Sequence, residues 1–143
     1  LTSHPKDMSD KLLATIADLS KMGKEIHVPL QSGDDSILRA MNRGYCYDDY
    51  VQLVAKIRKS IPGVLVSTDI IVGFPGETEK QFQNSINAVK TLGFHRVITA
   101  AYSPRKGTSA ADMPDQIEDS VKRTRLLTLQ HIVQQYAFGA VRK

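Results

Sequence analysis

The sequence predicts an α/β fold with a parallel sheet, and two observations carry that prediction. Short apolar segments alternate with amphipathic helical patterns along the 143 residues, the order in which strands and helices follow one another in parallel sheets. Polar and glycine residues follow each predicted strand, where α/β proteins bind their ligands. A doubly wound open sheet and a barrel both fit. Because a complete eight-stranded barrel takes about 250 residues, four strands would make an open sheet or a partial barrel.

The first half of the chain carries two strand-and-helix units. Apolar residues spaced by three and four predict its helices, while glycine and proline mark where they stop. The expected elements are a strand ending in LTSHP at 1–5, a helix stopped by Gly23, a strand EIHVPL at 25–30, a short helix around Ile37, Leu38 and Met41, and a helix from about Asp48 to Ser60.

The second half repeats this order. VLVSTDIIVGF, at residues 64–74, is apolar on both faces, which is typical of a buried parallel strand. Thr78 and Gln81 form the capping-box pattern T-x-x-Q at the start of the next helix, and Gly93 closes that helix. The remaining elements are a strand RVITAAYS at 96–103 and a helix from about Gln116 that turns Val121, Leu126, Leu129 and Val133 inward.

The composition is that of a globular domain in a reducing compartment. Apolar residues make up 41% and charged residues 24%, close to globular averages, and no apolar run is long enough to span a membrane. The single cysteine, Cys46, excludes an intrachain disulfide and a complete cysteine-ligated metal site within this chain. A net charge of +4 mildly favours an anionic partner such as RNA.

Unusual polar residues gather at the ends of all four predicted strands, which suggests one shared site. Asp69 lies inside an apolar run, where a carboxylate needs a hydrogen bond or an ion partner, so we assign it to the site in preference to a structural role. Gln31, Ser32 and Asp34 also suit a turn and helix cap. The strand-end residues are His4, Pro5, His27, Pro29, Gln31, Ser32, Gly33, Gly73, Pro75, Gly76, Glu77, Tyr102, Ser103, Pro104 and Arg105.

The GFPGET loop is not a phosphate loop. The phosphate-binding pattern needs a lysine after its last glycine, and this loop has Glu77 there. We expect Glu77 at the start of the next helix, where its charge favours the helix dipole. Lys122, Arg123 and Arg125 are expected on a solvated face of the last helix.

HVPLQSG, TDIIVGFPGET and AYSPRKGTSAA, taken in order, resemble the radical SAM methylthiotransferases, and TSHPKD and MNRGY extend the match over nearly the whole chain. The resemblance is strongest to the branch that adds a methylthio group to C2 of N6-isopentenyladenosine next to the anticodon of tRNA. Sister branches act on threonylcarbamoyl-adenosine in tRNA or on an aspartate of a ribosomal protein. An alternative of another class is a non-catalytic RNA-binding fragment.

The resemblance implies an incomplete (β/α)6 partial TIM barrel of the radical SAM type, with residues 1–143 as one domain that supplies about strands 3 to 6. It implies S-adenosyl-L-methionine and two 4Fe-4S clusters as cofactors, an electron donor for cluster reduction, and a cytoplasmic protein that does not contact membranes. The cluster-binding loop, the N-terminal methylthiotransferase domain and the RNA-binding TRAM domain are expected outside this chain. The isolated chain is therefore expected to be inactive.

The resemblance also assigns site residues, with no catalytic residue and no metal ligand among them. Lys106 and Ser109 stand where the family usually has proline, and a basic loop there suits either a phosphate backbone or plain solvent. Cys46 stands where the family usually has a Thr or Ser helix cap. Cofactor-binding residues are His27, Gln31, Ser32, Asp69, Ile71, Gly73, Tyr102 and Ser103, and substrate-binding residues are His4, Arg43, Arg105 and Lys106.

Overall fold

The computed structural model describes residues 25–137. Its strands form one parallel sheet in chain order, as the alternation of strands and helices predicts. The strand and helix expected at residues 1–23 lie outside the described part. The elements are β1 (Glu25–His27), α1 (Asp35–Ala40), α2 (Tyr47–Ser60), β2 (Leu65–Val72), α3 (Glu79–Leu92), β3 (Arg96–Ala101), a short 3-10 helix (Ala110–Asp112) and α4 (Asp119–Tyr136).

The first described strand is shorter than its apolar pattern suggests. β1 ends at His27, and one isolated bridge, between Gln31 and Ile70, continues the pairing. Pro29 has no amide hydrogen to donate, and the amide of Leu30 donates to the side-chain oxygen of Thr68 at 2.9 Å. One extra residue therefore enters this edge before Gln31, which bends the chain as a β-bulge does.

The two faces of β2 have different neighbours. Val66, Thr68, Ile70 and Val72 alternate on the outer face and are buried, in a core shared with the helices. The side chains on the opposite side of the sheet, from all three strands, form what we call the inner face. On it Leu65 and Ile98 are 39% and 55% exposed, so the expectation that β2 is buried on both faces holds for the outer face alone.

Polar side chains fix α2 to the outer face. The hydroxyl of Tyr50 is fully buried and donates to the carbonyl of Val28 at 2.6 Å. The hydroxyl of Thr68 donates to the same carbonyl at 2.9 Å. Burial raises the pKa of Tyr50 far above its usual value and keeps the phenol a donor. A buried hydroxyl needs such a partner, so these bonds fix the position of α2 along the strands of the sheet.

The last helix corrects two expectations. It begins at Asp119, not near Gln116, because the Gln116 amide donates to the carbonyls of Ala110 and Met113 in the preceding loop. Val121 is 36% exposed, although its pattern places it inward. Leu129 and Val133 are buried as predicted, while Lys122 and Arg125 complete the buried stripe, so these two cations do not lie on a solvated face.

Helix ends follow the sequence closely. Thr78 accepts a hydrogen bond from the amide of Gln81 at 3.1 Å, and the Gln81 side chain accepts from the amide of Thr78 at 2.8 Å, which confirms the capping box. Gly93 closes α3 with φ of 67°. Cys46 is the N-cap of α2, and its amide donates to Asp49 at 3.1 Å, which lowers the pKa of that carboxylate.

The turn after β1 packs directly on α3. The amide of Gly33 donates to the hydroxyl of Ser85 at 2.9 Å. A Cβ atom on Gly33 would lie 2.4 Å from the carbonyl oxygen of Asn84, which belongs to the helix backbone and cannot rotate away. Only glycine therefore allows this contact between the turn and the helix.

Replacing Gly33 with alanine should lower the free energy of unfolding by about 2–3 kcal/mol, since the turn and α3 must separate to admit the methyl group. Gly107→Ala is the matched control, because Gly107 has φ of 88° but no atom near its Cβ position, and it should cost about 1 kcal/mol from backbone strain alone. Urea unfolding followed by circular dichroism measures both. If Gly33→Ala lowered the free energy of unfolding by no more than Gly107→Ala does, the close packing of the turn on α3 would be contradicted.

Candidate functional site

A row of polar side chains crosses the inner face near the carboxyl edge of the sheet. His27 Nδ1 lies 3.0 Å from the hydroxyl of Ser67, and His27 Nε2 lies 3.8 Å from Asp69 Oδ2. The side-chain amide of Gln31 donates to Asp69 Oδ1 at 2.8 Å. Asp69 thus has a partner on each oxygen, which is how a carboxylate can be kept within an otherwise apolar strand.

Gln31 adopts a backbone conformation that is rare outside glycine. Its φ is 75°, in the left-handed region that most side chains avoid. Two main-chain bonds to β2 hold it there: its amide donates to the carbonyl of Asp69, and the amide of Ile71 donates to its carbonyl, each at 2.9 Å. Strain that the surrounding structure holds in place is typical of ligand sites, and here it brings the Gln31 amide to Asp69.

A first cavity, of about 390 Å³, lies beside this row at the carboxyl edge. Its floor is Ile71 on β2 and the end of β3, and its far wall is the loop that follows β3. Most of the lining is apolar. The lining residues are Ile71, Ala100, Ala101, Tyr102, Ser103, Arg105, Thr108 and Ala110.

A second cavity, of about 400 Å³, adjoins the first. Ile71, Tyr102 and Ala110 line both. The Tyr102 ring meets the Phe74 ring edge to face, with centroids 5.2 Å apart, and its hydroxyl is buried without a hydrogen-bond partner in the described part of the chain. The second cavity is also lined by Gln31, Ala40, Met41, Asn42, Arg43, Phe74, Ser109 and Met113.

The predicted cofactor-binding residues do not all meet. His27 and Gln31 each contact Asp69, and Ile71, Tyr102 and Ser103 line the first cavity. Ser32 is fully buried, where its hydroxyl accepts from the amide of Asp34 and lies 3.5 Å from that of Ser85. Its contacts therefore belong to the turn, away from both cavities.

The predicted substrate-binding residues do not lie in a single cavity either. Arg105 lines the first cavity and Arg43 the second. Lys106 is exposed on the loop after β3. His4 lies outside the described residues.

A buried ion pair holds the GFPGET loop. Glu77 Oε1 accepts from the amide of Gly73 at 2.8 Å and from Arg125 Nη1 at 3.0 Å, and the same nitrogen donates to the Glu77 carbonyl at 2.8 Å. Glu77 lies just before the Thr78 cap of α3, at the helix start where the sequence predicts it, and its carboxylate also contacts this loop and α4. We call Glu77 and Arg125 the loop latch.

Lys122 covers the other side of the same loop. A Cβ on Gly73 would lie 2.6 Å from Lys122 Cγ, and Gly73 has φ of 76°, so both space and backbone conformation favour glycine. Lys122 Nζ lies 5.4 Å from the centroid of the Tyr102 ring, within cation–π range. Lys122 thus contacts two of the residues that the sequence assigns to the cofactor.

Sequence reasoning missed the two buried cations of α4, Lys122 and Arg125. Arg125 and Lys122 are each 7% exposed, and a charge is rarely buried unless it is paired. A usable signal exists, because residues 122, 125, 129 and 133 follow the three-and-four spacing of one helix face. The loop after β2 carries the acid that one of these cations needs.

Comparison with known proteins identifies the family. The model of the radical SAM superfamily matches residues 2–89. The chain belongs to the radical SAM superfamily. It is 48% identical over 96% of its length to a tRNA-2-methylthio-N(6)-dimethylallyladenosine synthase of Caldicellulosiruptor saccharolyticus, of which it covers 29%. A relative of the same name from Thermoanaerobacter pseudethanolicus is 48% identical over 88% of this chain and 27% of that protein.

Solved structures agree on the fold. Coproporphyrinogen III oxidase (HemN) of Escherichia coli, described as a radical SAM enzyme, matches with a TM-score of 0.74 at 17% identity, over 94% of this chain and 31% of its own. The archaeal Methanocaldococcus infernus Elp3, lacking its N-terminus, gives the same TM-score and identity over 90% of this chain and 31% of its own. The described sheet is therefore part of a radical SAM barrel, and this chain spans under a third of the relatives it matches.

Residues 25–137 contain neither a candidate metal centre nor a membrane-spanning helix. No group of three or more His, Cys, Asp or Glu side chains could hold a metal ion there. Among these residues, no helix is long and apolar enough to cross a membrane.

The loop latch should make stability depend on pH in a defined direction. Burial raises the pKa of Glu77, against the opposing effects of the Gly73 amide and Arg125. The folded chain then holds the Glu77 proton more tightly than the unfolded chain does. Protonated Glu77 therefore adds to the free energy of unfolding. This contribution is fully present below the pKa that Glu77 has in the unfolded chain, near 4.5, and it is lost as pH rises through the pKa of Glu77 in the folded chain.

Glu77→Gln removes this titration and can still accept hydrogen bonds from Gly73 and Arg125. The free energy of unfolding of the wild type minus that of Glu77→Gln should therefore fall as pH rises above about 4.5. Urea unfolding at several pH values measures the difference. A difference that grows with pH would contradict this prediction and would mean that attraction to Arg125 outweighs burial.

Proposed function

We propose that this chain is the cofactor-binding and substrate-facing part of a tRNA methylthiotransferase. The reaction is addition of a methylthio group to C2 of N6-isopentenyladenosine, also called N6-dimethylallyladenosine, next to the anticodon. Support comes from the 48% identity to synthases named for this product. In this proposal residues 1–143 form one domain, the second half of a radical SAM core, in a cytoplasmic enzyme.

The observation that carries the proposal is the pairing of a polar row with an apolar cavity at the carboxyl edge of the inner face. S-adenosyl-L-methionine has a flat adenine, a ribose and a charged methionine end. The first cavity, with Ile71 and Ala101 on its walls, suits the adenine. Asp69 and Gln31 offer an acceptor and a donor to the ribose and the methionine end, and the unpartnered Tyr102 hydroxyl offers another polar group.

S-adenosyl-L-methionine held there would supply radical chemistry, with electrons that come from an electron donor through an iron–sulfur cluster outside this chain. The residues of this chain bind and orient it. Ile71 and Tyr102 would enclose the adenine. His27 and Gln31 contact the Asp69 carboxylate, and the loop latch fixes Gly73. The apolar walls exclude water from a reactive centre.

The residues of this chain do not fit a 4Fe-4S cluster. Such clusters are held by several cysteine thiolates, and the sequence has only Cys46, which is the N-cap of α2. We propose that both clusters are held by other parts of the enzyme, together with the remaining barrel strands and the TRAM domain. Cys46 takes no part in cluster binding.

The RNA would approach over the loops at the carboxyl edge. Arg43 and Arg105 line the two cavities and Lys106 is exposed nearby. Cations at this edge suit the phosphates that flank a target base. We propose His4 as a further substrate contact from the resemblance alone.

The alternative substrates for the same reaction are those of the sister branches, threonylcarbamoyl-adenosine in tRNA and an aspartate of a ribosomal protein. Mass spectrometry of nucleosides and ribosomal proteins, from cells with and without the intact gene, separates them. We expect 2-methylthio-N6-isopentenyladenosine to fall from its normal level to none in the deletion strain, with its isopentenyl precursor accumulating. An unchanged level of this nucleoside, or loss of methylthio-aspartate in its place, would overturn the proposal.

A further inference from the structure

Lys122 is a buried cation with a weak ion partner. It is 7% exposed, and its ammonium lies 3.9 Å from the carboxylate of Asp119, whose side chain is 93% exposed. An ion pair with such an exposed partner contributes little to stability, whereas a buried charge is costly unless a partner compensates it. The ion pair therefore does not explain why a lysine is buried here.

The place of Lys122 in α4 is also unfavourable for a cation. The helix begins at Asp119, and the amide of Lys122 donates to the carbonyl of its N-cap, Glu118, at 3.0 Å. The positive end of the helix dipole lies here, where acids are favoured over cations. Arg125, one turn later, has the buried Glu77 as its partner, but the described part of the chain gives Lys122 no buried acid within ion-pair distance. Departures from local rules of this kind are expected at functional sites.

The side chain of Lys122 runs from α4 across Gly73 to Tyr102. A Cβ atom on Gly73 would lie 2.6 Å from its Cγ and 3.3 Å from its Cδ, so the stem occupies space that a larger residue would fill. At its end, Nζ lies over the Tyr102 ring, 5.4 Å from the centroid. A desolvated cation gains more from an aromatic face than an exposed cation does. The ring thus gives Lys122 the partner that Asp119 does not.

The Tyr102 ring depends on contacts of this kind for its position. Its backbone is fixed, because the amide of Tyr102 donates to the carbonyl of Val72 at 2.8 Å. Its hydroxyl, however, has no hydrogen-bond partner in the described part of the chain. The ring is held by Phe74, with centroids 5.2 Å apart, and by Lys122. Since the ring lines the first cavity, these two contacts also set the shape of that cavity.

We propose that Lys122 is a positioning residue for the cofactor. Its ammonium holds the Tyr102 ring in place as a wall of the first cavity. Lys122 lines neither the first nor the second cavity, so it acts through Tyr102. This inference rests on the proposed function, which places S-adenosyl-L-methionine in the first cavity, and it adds the residue that fixes one wall from behind.

The test is binding of S-adenosylhomocysteine, an analogue of the cofactor, to the full-length protein with its iron–sulfur clusters, measured by isothermal titration calorimetry. Lys122→Met keeps an unbranched side chain over Gly73 and removes the charge. We expect it to bind the analogue about 5- to 10-fold more weakly than the wild type, the range that loss of a desolvated cation–π contact supports. Its unfolding temperature should not fall, because removing a buried charge with a weak partner does not destabilise the fold. Lys122→Gln also removes the charge and keeps the test valid if Lys122→Met does not fold.

Two comparisons show whether Lys122 acts through the ring. In a Tyr102→Leu background, which lacks the ring, Lys122→Met should weaken binding by no more than about 2-fold, since the effects of interacting residues are not additive. Arg123→Met makes the same change of charge at an exposed position of α4. Its affinity for the analogue should stay within about 2-fold of the wild type, because exposed charges are screened.

Four outcomes would each overturn the inference. They are an unchanged affinity in Lys122→Met, an equal loss in the Tyr102→Leu background, an equal loss in Arg123→Met, and a loss of binding that comes with a lower unfolding temperature, which would mean a merely structural role. A wild type that does not bind the analogue would instead overturn the assignment of the cofactor to this chain, and with it the proposed function.

Discussion

The buried ion pair between Glu77 and Arg125 links α4 to the loop that follows β2. Its geometry ties two separate parts together, because one oxygen of Glu77 accepts from Gly73 in the loop after β2 and from Arg125 in α4. Removing one partner of such a pair costs about 3–5 kcal/mol, since a buried charge is left alone. The position of Gly73, and through Lys122 the position of Tyr102, therefore depends on a helix that lies behind the sheet.

This arrangement explains why a glycine-rich loop at a strand end carries an acid. A phosphate loop offers its amides to a ligand, whereas here the Gly73 amide is occupied by the chain's own carboxylate. The loop therefore does not offer this amide to a ligand, and the polar contacts for a ligand come from the neighbouring strands. Asp69 and Gln31 supply them, with Gln31 held in a strained conformation by two main-chain bonds.

Local patterns were enough to predict the helix caps, the central strand and the order of the elements. The capping box at Thr78 and the αL glycine at Gly93 depend on neighbouring residues alone. The spacing of α4 places residues 122 and 125 on its buried face, but the partner that stabilises Arg125 there could not be predicted in this way, because Glu77 lies 48 positions earlier. Ser32 was assigned to the cofactor because it follows a strand, but its hydroxyl lies beside that of Ser85. Because Ser85 is distant in sequence, neighbouring residues could not reveal this contact.

The most direct measurement is methyl NMR of the full-length protein with labelled isoleucines, titrated with S-adenosylhomocysteine as the cofactor analogue. Ile71 lines the first cavity on the inner face, while Ile26 is fully buried on the opposite face. We expect the Ile71 methyl signals to shift on binding and those of Ile26 to stay unchanged. Saturable binding that leaves Ile71 unperturbed would contradict the assignment of the inner face to the cofactor.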